Sequence, residues 1–315
     1  MMIRHTEINR RTALSRTLHA GLLATLSRPL QALSEQASGG TLPYMDSIGL
    51  QLYTLRGTLA DDREGTLQAV ADAGYRQVEL MSIDQESLAI AAIARDLGMY
   101  VHSGFMDFNT ITEPDKPGTL AVDETLELAQ RIGLRHLVFG YIAKHQRDTA
   151  DKCYAIAERA NVAAERARAV GLRMCYHNHS FEFATLKTGK AGKSETTAFD
   201  IFTERFDPHQ MEFELDVFWA KIGGHDPLAI MRKLAGRISQ VHLKDLLAET
   251  PVIHDEGQVP KEAFEELGDG TIDIPAVMRL AKEIGVAQCH VEQDQSPDPV
   301  ASIQRSATFL REQSA

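Results

Sequence analysis

The sequence predicts a single-domain (β/α)8 barrel, and three observations point there. From Ile48 onward eight short β-rich runs alternate with longer stretches of helical character, the pattern that closes a parallel barrel when each strand is followed by a helix. Several of the helical stretches end at glycine, as helices capped in the left-handed conformation do. The 315 residues, 43% of them hydrophobic, give enough length and apolar surface for one large core. A doubly wound open sheet is the competing architecture, but no GxGxxG follows the first strand.

The elements follow in order. IGLQLYTL (48–55) is the first predicted strand, and DREGTLQAVADAG (62–74) the helix after it. YRQVELM (75–81) and YVHSGF (100–105) are the second and third strands, followed by the helix DETLELAQRIG (123–133). HLVFGY (136–141) is the fourth, with the long helix 148–171 behind it. RMCYHNH (173–179), MEFELDVF (211–218) and ISQVHLKDL (238–246) are the fifth to seventh strands. The helix IPAVMRLAKEIG (274–285) and the strand AQCHVEQD (287–294) complete the set. The barrel is thus expected over 41–315.

Residues 1–40 differ in kind. NRRTAL (9–14) precedes a mildly apolar run, TLHAGLLATL (17–26), and a polar stretch, QALSEQASGG (31–40). This resembles a twin-arginine export leader, with Asn9 and Ala13 at atypical positions and Arg16, His19 and Arg28 interrupting the apolar segment. A frayed amphipathic helix is the alternative. The leader reading places the protein in the periplasm and the alternative leaves it cytoplasmic. The run is too short and interrupted for a membrane span. A net charge of −11 with no basic patch argues against nucleic acid as a partner, and a homo-oligomer stays open. Cys153, Cys175 and Cys289 form no CxxC and read as buried free thiols.

Strand parity carries the functional signal. Successive side chains face opposite sides of a strand. If the apolar members Leu50, Leu52, Val78, Leu80, Leu137, Phe139, Tyr141, Phe213, Leu215, Val217, Val241 and Leu243 face the helices, the interior receives Gln51, Glu79, His102, His177, His179, Asp216, His242, Lys244 and Glu292. These sit late in their strands, where barrel enzymes carry their catalytic groups, and burying so many ionisable groups is costly without partners or a metal. Glu182, Asp216, His242 and Glu292, on the last four strands, form a divalent-metal set. Three carboxylates and an imidazole suit Mn²⁺ or Mg²⁺ first, then Co²⁺ or Zn²⁺. Taken singly, Asp216 could be a helix cap, His242 a core histidine and Glu292 an ion-pair partner of Lys244; four at matching depth favour the metal.

The segments IGLQLYTLR, AGYRQVEL, YHNHSFEF, ELDVFWA, VHLKD and ELGDGTIDIP resemble the xylose isomerase-like TIM barrel superfamily, in its sugar phosphate isomerase/epimerase branch, over roughly residues 46–312. The resemblance implies one divalent metal held at the ends of strands 5 to 8, which maps onto Glu182, Asp216, His242 and Glu292. His177 or His179 is the alternative ligand on strand 5. Relatives of this kind include inosose dehydratases, keto-sugar 3-epimerases and enzymes that cleave 3-keto-glycosides, so the resemblance implies a site more narrowly than a reaction.

On that reading the metal holds the carbonyl and hydroxyl oxygens of a keto sugar while a neighbouring proton leaves, giving an enediolate. Two bases on opposite faces, Glu182 and Glu292, would give an epimerase or isomerase; a base with an acid near a leaving group, His179 with Lys244, would give a lyase. Gln51, Glu79, His102, His177, Phe105 and Trp219 are expected to bind the substrate, with Phe218 a further candidate wall. The insert after strand 7 is rich in carboxylates, and Gly268 and Gly270 read as a turn rather than a phosphate cradle; a neutral sugar or glycoside is expected. An endonuclease on the same barrel would need more metal ligands and a basic face. A non-catalytic sugar binder would need no metal set.

Overall fold

The computed structural model describes residues 41–186 and 196–314, so the expected leader at 1–40 lies outside the described residues. Eight parallel strands close into a barrel: β1 (Gly49–Gln51), β2 (Gln77–Leu80), β3 (Tyr100–Phe105), β4 (His136–Phe139), β5 (Arg173–His177), β6 (Met211–Asp216), β7 (Ile238–Leu243) and β10 (Gln288–Val291). A short antiparallel pair, β8 (Asp245–Leu246) and β9 (Phe264–Glu265), sits in the long insert after β7. No described helix is long and apolar enough to cross a membrane.

The helices begin and end where local chemistry dictates. Asp62 accepts a hydrogen bond from the Gly65 N–H and starts the helix Arg63–Ala73; Gly74, at φ 99°, ends it in a conformation that costs glycine nothing. The helix Ala150–Ala169 presents Ile156, Ala157, Ala160, Ala163, Ala164 and Ala167 to the sheet. Alanine on that face lets a twenty-residue helix lie close to β5.

Leu50, Val78, Leu80, Leu137, Phe139, Phe213, Leu215, Val241 and Leu243 are fully buried in the layer between strands and helices, each contributing about 1.5–3 kcal/mol. Their parity is as expected. All the runs but the third end sooner than expected, and three of them bear on the site. The first strand stops at Gln51 and turns into the 3-10 segment Leu52–Leu55. The sixth stops at Asp216, whose side chain accepts from the Trp219 N–H and caps the helix Val217–Ile222. Tyr141, expected among the helix-facing residues, lies past the end of β4 and lines the cavity at the mouth of the barrel. In each case the chain leaves the sheet at the mouth, where period-two parity no longer applies.

Candidate active site

Cross-strand register assembles the barrel interior. Glu79 pairs with Gln51, Glu214 with His177, Asp216 with His242, and His242 with His290. Each of these side chains is buried. Gly49 is what allows His290 to lie across the floor, because a Cβ there would meet the imidazole at 2.3 Å.

Above this floor a cavity of about 740 Å³ opens at the C-terminal ends of the strands. Gln51, Phe105, His177, His179, Trp219, Lys244 and Glu292 line it, as do Tyr141, Glu256 and Asp294. Most of its apolar lining comes from the segments after β2 and β3, with Met81, Ile83, Met106, Phe108 and Leu120; the Ser82, Asp84 and Asp107 side chains there are engaged in local turn and cap hydrogen bonds. The insert after β7 reaches across the mouth: Glu256 accepts from Arg147 at 2.7 and 2.8 Å and from the Tyr141 hydroxyl at 3.0 Å, while Lys144 pairs with Asp255 at 2.9 Å.

The charged side of the cavity is organised around Lys244. Its Nζ lies 2.7 Å from Glu292, 3.1 Å from Asp216 and 3.1 Å from Asp294, and 5.6 Å from the centre of the Trp219 ring. Burial works against its charge, but the three carboxylates outweigh it and push its pKa well up. Burial would raise Glu292 too; the charges of Lys244 and His242 hold it down at about 2. Asp294 goes the other way: burial pushes it up to about 7, against the pull of Lys244.

Of the four residues expected as metal ligands, the structure brings Asp216 and His242 into one buried group with His177. His177, Asp216 and His242 each turn a ligand atom toward a common point, all within 4.8 Å of one another, and could hold a metal ion. Asp216 Oδ2 is buried, with the Lys244 ammonium 3.1 Å from it and His177 Nε2 and His242 Nδ1 each 3.9 Å away. The Lys244 ammonium already balances this oxygen, and the two imidazole nitrogens beside it are the neutral donors that a divalent ion would add. Glu292 adjoins the group, 2.8 Å from His242 Nδ1.

Glu182 does not join them. Its carboxylate accepts from the Tyr176 hydroxyl and, at 2.8 Å, from the His179 N–H, and Tyr176 packs outward against Phe139, Phe202 and Phe206. The turn Phe181–Phe183 carries Glu182 out of the interior, and burial lifts its pKa to about 8. His177 supplies the fifth-strand contact instead. His102 is also absent from the cavity lining: the register between β2 and β3 slips between Val78 and Glu79, so Glu79 pairs with Ser103 and His102 stacks half-buried on Tyr100. Glu79 lies beneath the cavity, bonded to Gln51 and His242. Phe218 is packed against Phe264 in a satellite cluster. The Gly268 and Gly270 N–H groups both donate to Asp245, at 3.0 and 3.2 Å, so the protein's own carboxylate occupies that turn.

Sequence reading turned Tyr141 toward the helices and missed Glu214, Asp294, Arg147 and Glu256. Glu214 and Asp294 share the parity of Asp216 and Glu292 and were open to the same argument; Arg147 and Glu256 lie outside the predicted strands, where no period-two signal applies.

Residues 67–313 match the family model described as xylose isomerase-like TIM barrel. The chain is 29% identical over 171 residues to an inosose dehydratase of Klebsiella pneumoniae, covering 50% of this chain and 54% of the relative; it thus spans about half the length of such curated relatives. The fold is shared with a sugar phosphate isomerase/epimerase from Parabacteroides distasonis (TM-score 0.66, 24% identity, 90% of this chain and 97% of that one). It is shared also with an L-ribulose 3-epimerase (TM-score 0.61, 19% identity, 85% and 94%).

Proposed function

The chain belongs to the xylose isomerase-like TIM barrel family, and we propose that it is a divalent-metal-dependent enzyme removing the proton beside the carbonyl of a neutral keto sugar, glycoside or cyclitol. The observation that carries this reading is the placing of Asp294, Glu292 and Lys244 on one wall of the cavity, directly against the buried group His177, Asp216 and His242. With two imidazoles in the set, Mn²⁺, Co²⁺ and Zn²⁺ suit it better than Mg²⁺. Bound there, such an ion supplies positive charge for the substrate oxygens as the proton leaves.

The chain's own groups do the rest. Asp294, raised to about 7, is the cavity carboxyl best matched to proton transfer at neutral pH. Glu292, ionised between His242 and Lys244, is suited to holding charge. Lys244 stays protonated and steadies an oxyanion. Glu182 is turned away and Glu256 is engaged by Arg147 and Tyr141, so among the described residues no unengaged second glutamate lines the cavity with Glu292, which supports elimination over epimerisation by two glutamates. In elimination the C–H electrons form a C=C bond, the proton passes to the Asp294 carboxylate, and the β-substituent departs with its bonding pair and takes that proton from Asp294, which returns to the carboxylate form. The dehydratase relatives agree with this outcome. The contacts of Glu256 with Arg147 and Tyr141 hold the insert after β7 across the cavity mouth, where it would border a bound substrate.

Incubation in D₂O with inososes, keto sugars and 3-keto-glycosides tests the reading. Deuterium should enter beside the carbonyl, and an unsaturated product should appear. A stereoisomer in its place makes the enzyme an epimerase, and an aldose or ketose partner makes it an isomerase. Asp294→Asn should abolish exchange while the metal is retained. No exchange across the panel would overturn the enzyme reading in favour of a sugar binder.

A further inference from the structure

The two histidines of the metal group are each held from behind by a carboxylate that never reaches the cavity. His242 Nε2 lies 2.7 Å from Glu79 Oε2, leaving Nδ1 facing Asp216 and Glu292. His177 Nδ1 lies 3.2 Å from Glu214 Oε2, leaving Nε2 facing Asp216. Both carboxylates are fully buried, and each is fixed in turn by an amide: Gln51 Nε2 donates to Glu79 Oε2 at 2.7 Å, and Gln240 Nε2 donates to Glu214 Oε1 at 2.9 Å. The interior is thus layered, amide to glutamate to imidazole to metal site.

We infer that Glu79 and Glu214 are positioning residues that decide which ring nitrogen His242 and His177 present to a divalent cation. The physical reason is tautomer control. A neutral imidazole carries one N–H and one free lone pair, and a carboxylate accepting from one nitrogen leaves the lone pair on the other. When a cation takes the place of the contact between His242 Nδ1 and Glu292, at 2.8 Å, Glu79 keeps the ring proton on Nε2 and leaves Nδ1 to bind; with Glu214 behind it, His177 offers Nε2. The two rings meet edge to face with centroids 4.6 Å apart, so the two lone pairs converge on the region of Asp216 Oδ2. Without the rear acceptors either ring can turn or take the other tautomer, and the site loses a ligand without losing a residue.

A rival role for the same residues is visible. Glu79, Glu214, His242 and His290 also have ligand atoms within 4.8 Å of one another. However, Gln51 and Gln240 already donate to the two glutamates, and His242 Nε2 lies within hydrogen-bond distance of Glu79, so these groups are engaged as hydrogen-bonding partners rather than arranged as a second set of ligands.

The inference rests on the metal reading above, and one experiment separates their failures. The wild-type protein and the variants Glu79→Gln, Glu79→Ala, Glu214→Gln and Glu214→Ala are stripped with chelator and titrated with Co²⁺ and Mn²⁺, following affinity by chelator competition and Co²⁺ coordination by its visible spectrum. Thermal unfolding of each stripped protein is recorded alongside. The wild type should bind one ion per chain. The alanine variants should bind about 100-fold more weakly and the glutamine variants about 10-fold, with an altered Co²⁺ spectrum, because the amide oxygen still accepts from the ring N–H but brings no charge. The recovery from alanine to glutamine should appear in affinity even where the stripped proteins unfold at the same temperature. Equal affinity and spectrum in all variants would overturn the positioning role and leave the metal reading standing. A second ion in the wild type, lost in these variants, would overturn it by making Glu79 and Glu214 ligands. A wild type that binds neither ion would overturn both.

Discussion

The cavity has two sides built from the same kind of element and opposite chemistry. The segments after β2 and β3 line it with Met81, Ile83, Met106, Phe108 and Leu120, while β5, β6, β7 and β10 bring His177, Asp216, His242, Lys244, Glu292 and Asp294 into or against it. On the apolar side each residue's contribution is local, a matter of area removed from water. On the charged side no group is satisfied alone: Lys244 contacts three carboxylates, and Glu292 touches both Lys244 and His242. Substitutions on the two sides should therefore differ in both size and reach.

The largest effect is expected at Asp216. Asp216→Ala removes the oxygen that both imidazoles face, and turnover should fall by about 10³-fold, with metal content below one-tenth of wild type, read by elemental analysis and single-turnover kinetics. Retained metal and activity would break the contrast at its strongest point. Lys244→Met comes next. Removing one partner from a buried ionic cluster costs about 3–5 kcal/mol, so denaturant unfolding of the stripped protein should show a loss of that order, larger at pH 8 than at pH 5, where protonation relieves the repelling carboxylates. Excess divalent metal should restore part of it.

The floor beneath the cavity sharpens the comparison. His136, at the start of β4, is buried with neither ring nitrogen hydrogen-bonded among the described residues, and burial, with help from Arg173, pushes its pKa down to about 4. The folded state keeps this group neutral while the unfolded chain protonates it near 6.5. Its contribution is therefore present above pH 6.5 and lost as pH falls toward 4, by up to about 3 kcal/mol. Thermal melts across that window should show the decline, and His136→Gln should flatten it; an unchanged slope would assign the acid sensitivity elsewhere. On the apolar side Leu120→Ser, at 36% exposure, should change stability by less than about 0.5 kcal/mol. Its effect should be confined to KM for substrates bearing an apolar group, with kcat unchanged.

Much of this was legible because two periodicities did the work. Alternation along MEFELD placed Phe213 and Leu215 outside and Asp216 inside, and the same rule, applied once more, would have found Glu214. It failed at His102 because the register slips between β2 and β3, and at Glu182 because a 3-10 turn begins where the strand has ended. CYHNHSFEF illustrates both sides of the matter. His177 is the last residue of β5 and its direction follows from parity, whereas Glu182 lies beyond the strand, and its direction was set by the hydroxyl of Tyr176.

The sequence by itself determined the barrel, its outer hydrophobic layer and the presence of a late-strand cluster of ionisable groups, because all three follow from local pattern and from the cost of burying charge without partners. Only the tertiary structure decided which of those groups meet. Partnership among Glu79, His242, Glu292, Lys244 and Asp294 depends on contacts between strands far apart in the chain, and on register that no single strand encodes. Closure of the barrel brings β10 beside both β1 and β7; that adjacency, absent from any local stretch of sequence, turns separate acids and histidines into one electrostatic unit.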